Sequence, residues 1–435
     1  MTTSTMITDL PKDLIEEILS RVSMTSMRVV RLTCKSWNTL SNSESFKKMH
    51  IGKVTSTREG ESRVIMLIDY NLFLMSAVLM DDVDPSIEFK GKLSCLKEQV
   101  KISQVFHCEG LLLCILKDDT RIVVWNPYRQ ETRWIIPRYS HRPYVMNNIR
   151  YALGYENNKS GRSLKLLRFI DYCYTEKHIC WHEIYDFDSD LWTTLDVTPH
   201  WYILSNWSCV QGVSLKGNTY WCAREENSDG YNHIICFDFT RERFGPLLPL
   251  PVNVIDNEYE YVTSSCVREG KIAALFQHND SYPYELEIWI TTKIEAEMVS
   301  WNKFLRIDIE PNNNIMVPFI YGGFFIDEEK KKVALGFDEE FGRKTFNIIG
   351  EDGYFREFDR ITFNIIEEAG ERAGVNCGSY VCSYVPSLVR IKKPAQGKRK
   401  RQSSLEKLRF DQNTWIFDSI YQATASQIRR RRPTR

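Results

Sequence analysis

Between about residue 105 and residue 391 the chain repeats one pattern of short strand-forming runs, and this repeat narrows the possible folds more than any other feature. Runs such as Arg121-Ile-Val-Val-Trp125, His182-Glu-Ile-Tyr-Asp186 and Tyr284-Glu-Leu-Glu-Ile-Trp-Ile290 are β-branched or aromatic and end at turn residues. A Gly-led run precedes an aromatic end three times: Gly110 to Cys114 before Trp125-Asn126, Gly217 to Trp221 before Phe237-Asp238, and Gly270 to Ala274 before Trp289-Ile290. With Asn126, Asp186, Asp238, Ile290 and Ile349 taken as equivalent points, the spacings are 60, 52, 52 and 59 residues. A period near fifty with about four strands each predicts propeller blades, and roughly 330 residues hold about six. Five repeats are visible. A sixth has to be assembled from Asn71 to Leu93 together with the last strands, near Tyr380 to Ile391. The competing reading is a large, irregular β-sandwich.

The first fifty residues follow a different period. Leu10, Leu14, Ile18 and Val22, with Ile15 and Leu19 beside them, recur at helical spacing, while Lys12, Asp13, Glu16 and Glu17 fill the other side. This predicts an amphipathic helix beginning near Pro11, with Asp9 as its cap. A second helix is expected from Thr25 or Ser26, with Met27, Val30, Cys34, Trp37 and Leu40 as its stripe. A third short turn runs from Glu44 to His50. The helical spacing of Cys34 from Val30 and Trp37 reads as a core position.

Charge divides the chain. From Lys392 onward there are 13 of the 57 basic residues and 3 of the 57 acidic ones, so the body is acidic and the tail basic. An acidic body offers no electrostatic footprint for nucleic acid. The start of the chain lacks the basic and apolar pattern of a signal peptide, and no apolar run nears the ~20 residues of a membrane helix. A cytoplasmic or nuclear protein is expected. Lys398, Arg399, Lys400 and Arg401 form a nuclear-import type cluster or a solvated extension, and Trp415 to Tyr421 could form a short partner-binding face.

The strings LPKDLIEEILSRV (Leu10 to Val22) and SMRVVRLTCKSWNTL (Ser26 to Leu40) resemble the plant form of the F-box, with Met24-Thr25 standing where the family usually has a proline. Beyond them, TRIVVWNPYRQETRWI (Thr120 to Ile135), GVSLKGNTYW (Gly212 to Trp221), CFDFTRERFGPLLPLP (Cys236 to Pro251) and VCSYVPSLVRI (Val381 to Ile391) resemble the type 1 F-box-associated domain. Residues 365–378 are longer and more charged than that pattern and read as a loop insertion.

The resemblance implies an α+β multidomain chain: a small three-helix F-box (1–50), a linker with the first β strands (51–104), an F-box-associated domain built as a kelch-like propeller of about six blades (105–391), and a basic, disordered tail (392–435). It further implies that Leu10, Pro11, Leu14, Ile15, Ile18, Leu19, Val22, Cys34 and Trp37 dock onto a Skp-type adaptor, which brings a cullin and a RING protein. The chain would then be the non-catalytic substrate-recognition subunit of an SCF-type ubiquitin ligase, capturing an unknown protein target. An F-box scaffold working outside a ligase and a propeller hydrolase are the alternatives.

No cofactor and no metal are expected. G-x-S-x-G, P-loop and G-x-G-x-x-G patterns are lacking. Cys173, His178, Cys180 and His182 have zinc-type chemistry, but they run into a strand rather than a knuckle. Target contacts are expected in loops, with Tyr139, Arg142 and Tyr144 of the segment from Pro137 to Asn148 as the residues that would carry them.

Overall fold

A computed structural model describes residues 10–22, 26–55, 61–68, 70–78, 86–93, 100–117, 121–138, 149–158, 161–174, 177–203, 212–226, 228, 230–255, 260–267, 270–278, 284–309, 323–328, 331–335, 346–351, 355–358, 380–392, 403–409 and 411–412. Among the described residues four helices come first: α1 (Lys12–Ser20), α2 (Met27–Thr33), α3 (Lys35–Asn42) and α4 (Glu44–Thr55). The stretch expected as one helix from Met27 to Leu40 is divided at Cys34, whose backbone is extended (φ −153°, ψ 160°). Its sulfur accepts a hydrogen bond from the Trp37 amide at 3.5 Å. Cys34 is thus the cap of α3 and not a core residue, a role that short polar side chains usually take. The expected short turn at Glu44 is the longest helix of the four, at 12 residues. At the other end, Pro11 precedes α1 and its carbonyl accepts the first helical bonds, from Leu14 and Ile15; Asp9, its expected cap, lies outside the described residues.

Six sheets follow. Blade 1 contains β1 (Glu61–Ile68), β2 (Asn71–Val78) and β3 (Ser86–Leu93); blade 2 is β4 (Ile102–Cys108), β5 (Leu111–Leu116), β6 (Ile122–Asn126) and β7 (Glu131–Ile135). Blade 3 is β8 (Ile149–Asn158), β9 (Gly161–Tyr174), β10 (Lys177–Asp186) and β11 (Leu191–Leu195). Blade 4 adds a strand: β12 (Trp201–Ile203) and β13 (Val213–Leu215) both pair with β14 (Asn218–Glu225), followed by β15 (Gly230–Asp238) and β16 (Arg243–Ile255). Blade 5 is β17 (Glu260–Val267), β18 (Lys271–His278), β19 (Tyr284–Glu295) and β20 (Met298–Ile309). Blade 6 is β21 (Phe324–Asp327), β22 (Lys332–Leu335), β23 (Phe346–Gly350) and β24 (Phe355–Phe358). The last strand, β25 (Tyr380–Ser383), pairs antiparallel with β1, from Val64 opposite Ser383 to Leu67 opposite Tyr380, and completes blade 1.

The equivalent points of the repeat, Asn126, Asp186, Asp238, Ile290 and Ile349, all fall on the third strand of a blade. Blade 1, the one for which the repeat left too few consecutive strands, combines the first and last strands of the domain. Strands β4, β8, β13, β17, β21 and β25 neighbour one another in a closed ring. Among the described residues each blade packs against a neighbour on both faces. The core accordingly lies between blades, in six apolar clusters that each join two neighbours; Leu113, Val124 and Ile135 of blade 2, for example, meet Leu153, Leu166 and Trp181 of blade 3. Burial on both faces explains runs without polar alternation, such as β5, in which all six residues are buried.

Candidate functional site

The helical unit has a small core of its own. Leu19, Met27 and Phe46 are almost fully buried, and Ile15, Val22, Val30, Trp37, Leu40 and Met49 pack around them. Leu19, expected among the contacts of a partner, is therefore turned inward at 2% exposure. The apolar residues that this core does not use lie on α1 and α2: Leu14 and Ile18 are 50% and 47% exposed, Val29 and Leu32 68% and 79%. On α1 these are four apart and on α2 three apart, so each pair shares one helix face. Pro11 is exposed beside them and Leu10 half-buried. Val29 and Leu32 lie off the stripe expected for this helix, which runs through Val30 and faces the core. Their signal is a second apolar pair, three residues apart, beside the core pair Met27 and Val30, more than a seven-residue helix can bury.

Helix α4 joins this unit to blade 2. His50 is fully buried, with Nε2 2.8 Å from the Val22 carbonyl and Nδ1 3.0 Å from the Tyr128 hydroxyl. Burial lowers its pKa, helped by nearby Arg31 and Arg63, so the ring is neutral and holds one proton. A carbonyl can only accept. That proton therefore sits on Nε2, and Nδ1 accepts from the Tyr128 hydroxyl, which also lies 3.2 Å from the Lys47 carbonyl. Beside it Glu44 receives Arg390 at 2.9 Å and lies 3.6 Å from Arg129, and these cations hold its carboxyl below the usual range. The helices are thus fixed to the propeller by buried hydrogen bonds as well as by chain connection.

Cys34, half-buried, has its thiol pKa lowered by the Ser36 hydroxyl and the Trp37 amide. Tyr139, Arg142 and Tyr144, together with Lys398, Arg399, Lys400 and Arg401, lie outside the described residues, as does the 365–378 insertion. Arg138, immediately before Tyr139 in the sequence, is described: its guanidinium reaches the Trp192 carbonyl and lies 2.7 Å from Glu406. Glu406 belongs to a helical turn, 404–409, within the stretch read as a tail. His182 stacks on Phe169 at 5.2 Å and meets Phe244 edge-on, packing that suits a core residue. Among the described residues no three His, Cys, Asp or Glu side chains are grouped to hold a metal ion, and no helix is long and apolar enough to cross a membrane.

On the propeller, a cleft of about 480 Å³ lies between turns of blades 4 and 5 and is lined by Lys216, Lys271, Lys293 and Thr292. Lys271 is paired with Glu328 at 2.8 Å and Lys293 with Glu295 at 3.4 Å. The cleft is a recess with two of its three lysines, Lys271 and Lys293, already balanced by acids.

Residues 7–49 match the F-box domain family, and residues 63–391 match the F-box associated beta propeller domain family. Among curated proteins, the chain is 59% identical to the F-box protein At2g38590 of Arabidopsis thaliana, over 94% of this chain and 96% of that one. It is 56% identical to the F-box/kelch-repeat protein At1g48625 of Arabidopsis thaliana, over 94% and 97% of the two chains. Among solved structures, a chain from a nidogen/laminin complex matches with a TM-score of 0.35 at 8% identity, over 74% of this chain and 98% of that one, a likeness too slight to build on.

Proposed function

Because this chain belongs to the F-box proteins that carry an F-box-associated β-propeller, we propose that it is the substrate-recognition subunit of an SCF-type ubiquitin ligase. The F-box helices would bind a Skp-type adaptor, through it a cullin and a RING protein, and the propeller would bind a protein target. The observation that carries this reading is the pair of exposed apolar rows, Leu14 with Ile18 and Val29 with Leu32, on a unit too small to cover them itself. Catalysis by such a subunit is proximity: the target's lysines are held near activated ubiquitin, and the bond-making groups belong to the partners. No residue of this chain takes a chemical role in that scheme. Rigid attachment through His50 and Tyr128 suits it, since a fixed angle between adaptor and target keeps the effective concentration high.

The test is titration of the full chain against a purified plant Skp-type adaptor. Leu14→Ala with Ile18→Ala should weaken binding by about 2 kcal/mol or more, near thirtyfold, while the circular dichroism spectrum is unchanged. Binding of the double variant at wild-type affinity would reject the docking face.

A further inference from the structure

The outer strand of blade 3, β11, is a sheet edge. An edge strand presents backbone groups with no partner in the sheet. The Thr194 amide is such a group, and it is met by a carboxylate from the far end of the chain. Glu406 Oε1 accepts from the Thr194 amide at 2.9 Å, from the Thr194 hydroxyl at 3.0 Å and from Arg138 Nη1 at 2.7 Å. The seat is built by the propeller: Arg138 is also held by the Trp192 carbonyl and lies 4.0 Å from Glu183, which itself pairs with fully buried Arg168 at 3.1 Å.

The visiting segment is a minimal helix start. Ser403 Oγ caps it, accepting from the Glu406 amide at 3.1 Å, and its carbonyl accepts from the Lys407 amide at 3.1 Å. Ser403-Ser404-Leu405-Glu406 has the capping-box spacing, yet the glutamate turns to the propeller instead of closing its own helix. At the far end Arg409 meets Asp196 at 2.5 Å. Leu405 and Leu408 stay 71% and 59% exposed, so the segment is held by its polar side with little apolar burial. A contact of this kind is weak between separate molecules. It is favoured here because a ten-residue connection, 393–402, supplies an effective concentration on the order of millimolar.

We propose that this groove between blades 2 and 3 is a recognition site for a glutamate presented on the capped start of a short helix, and that residues 403–409 occupy it in cis as a displaceable plug. The ligand is a peptide with Ser or Thr, then Glu three residues on, then a basic residue three further, matching Ser403, Glu406 and Arg409. Three donors converging on one oxygen select a carboxylate; a lysine would face Arg138. That a target uses the groove rests on the ligase-subunit reading above, whereas its occupation by the tail does not.

The experiment uses a fluorescent peptide of residues 402–412 and the full chain. Anisotropy should show the peptide binding Glu406→Ala at least tenfold tighter than wild type, whose own tail competes. The same peptide carrying Gln in place of its glutamate should lose at least tenfold. Adding Asp196→Lys, a surface change that leaves the fold alone, should weaken the peptide at least threefold on the Glu406→Ala background. Hydrogen exchange at the Thr194 amide should speed up in Glu406→Ala and slow again at saturating peptide. Equal peptide binding by wild type and Glu406→Ala, indifference to the glutamine peptide, or unchanged Thr194 exchange would each overturn the proposal. Adaptor affinity read on the same samples should stay constant, so failure of the ligase reading and failure of the groove give different results.

Discussion

Tyr128, in the turn after β6, donates its hydroxyl hydrogen to Nδ1 of His50 in α4 across 3.0 Å, and this bond ties the helical unit to blade 2. Both side chains are buried. Burial pushes the Tyr128 phenol up to about 12, so it remains a donor throughout the physiological range.

Tyr128→Phe leaves the ring in place, strands a buried Nδ1 acceptor and removes the hydroxyl's contact with the Lys47 carbonyl. A loss of about 1–3 kcal/mol in unfolding free energy is expected by chemical denaturation. Hydrogen exchange in α4 should rise with it. An unchanged denaturation midpoint would show that the joint does not depend on this bond.

Asn126, at the end of β6, holds the segment that follows β25. Its amide donates to the carbonyls of Ser387 at 2.9 Å and Val389 at 2.8 Å, and its oxygen accepts from the Arg129 amide at 3.0 Å. Asn126→Ala removes all three bonds from a fully buried site. Destabilisation of about 3 kcal/mol or more is expected. Limited proteolysis should then cut between Val385 and Lys392, which the wild type should resist.

Gly110 sits at φ +82° after Glu109 at φ +44°, the pattern of a type I′ turn between β4 and β5. An added Cβ would come within 2.5 Å of both the Val385 oxygen and the Ser387 Cβ. Gly110→Ala should therefore cost about 3 kcal/mol, from backbone conformation and overlap together. Gly52, inside α4 with nothing within 4 Å of its would-be Cβ, gives the opposite sign. Gly52→Ala should stabilise by about 0.5–1 kcal/mol. Thermal or chemical unfolding of the two variants checks both signs.

His107 accepts the Gly110 amide at Nε2 across 2.8 Å, a bond that only the unprotonated nitrogen can make. Burial lowers its pKa from 6.5 to about 4. A depressed folded-state pKa means that the unfolded chain takes up the proton first as pH falls. The contribution of His107 is thus fully present above about pH 6.5 and is lost between there and about pH 4. The stability difference between wild type and His107→Gln should be flat from pH 8 to 7 and shift against the wild type below 6. A difference independent of pH from 7 to 4.5 would refute this assignment.

Periodic information along the chain determined the architecture. The recurrence of Asn126, Asp186, Asp238, Ile290 and Ile349 marked the third strand of five blades, and the shortage of strands for a sixth already required the two ends of the domain to meet. Helical spacing likewise located α1, and the Leu10 to Leu40 strings identified the F-box. Direction and partnership were decided elsewhere. Leu14 and Leu19 belong to the same apolar pattern, yet one is half exposed and the other buried against Met27 and Phe46, because only the packing of α1 on α4 selects a face. Cys34 read as a stripe residue until the chain turned there. Glu406, inside a tail that composition described only as charged, reaches the Thr194 amide 212 residues away. Local propensity is written in neighbours a few residues apart, whereas contacts such as His50 with Tyr128 and Glu406 with Thr194 exist only once the tertiary fold has brought distant segments together.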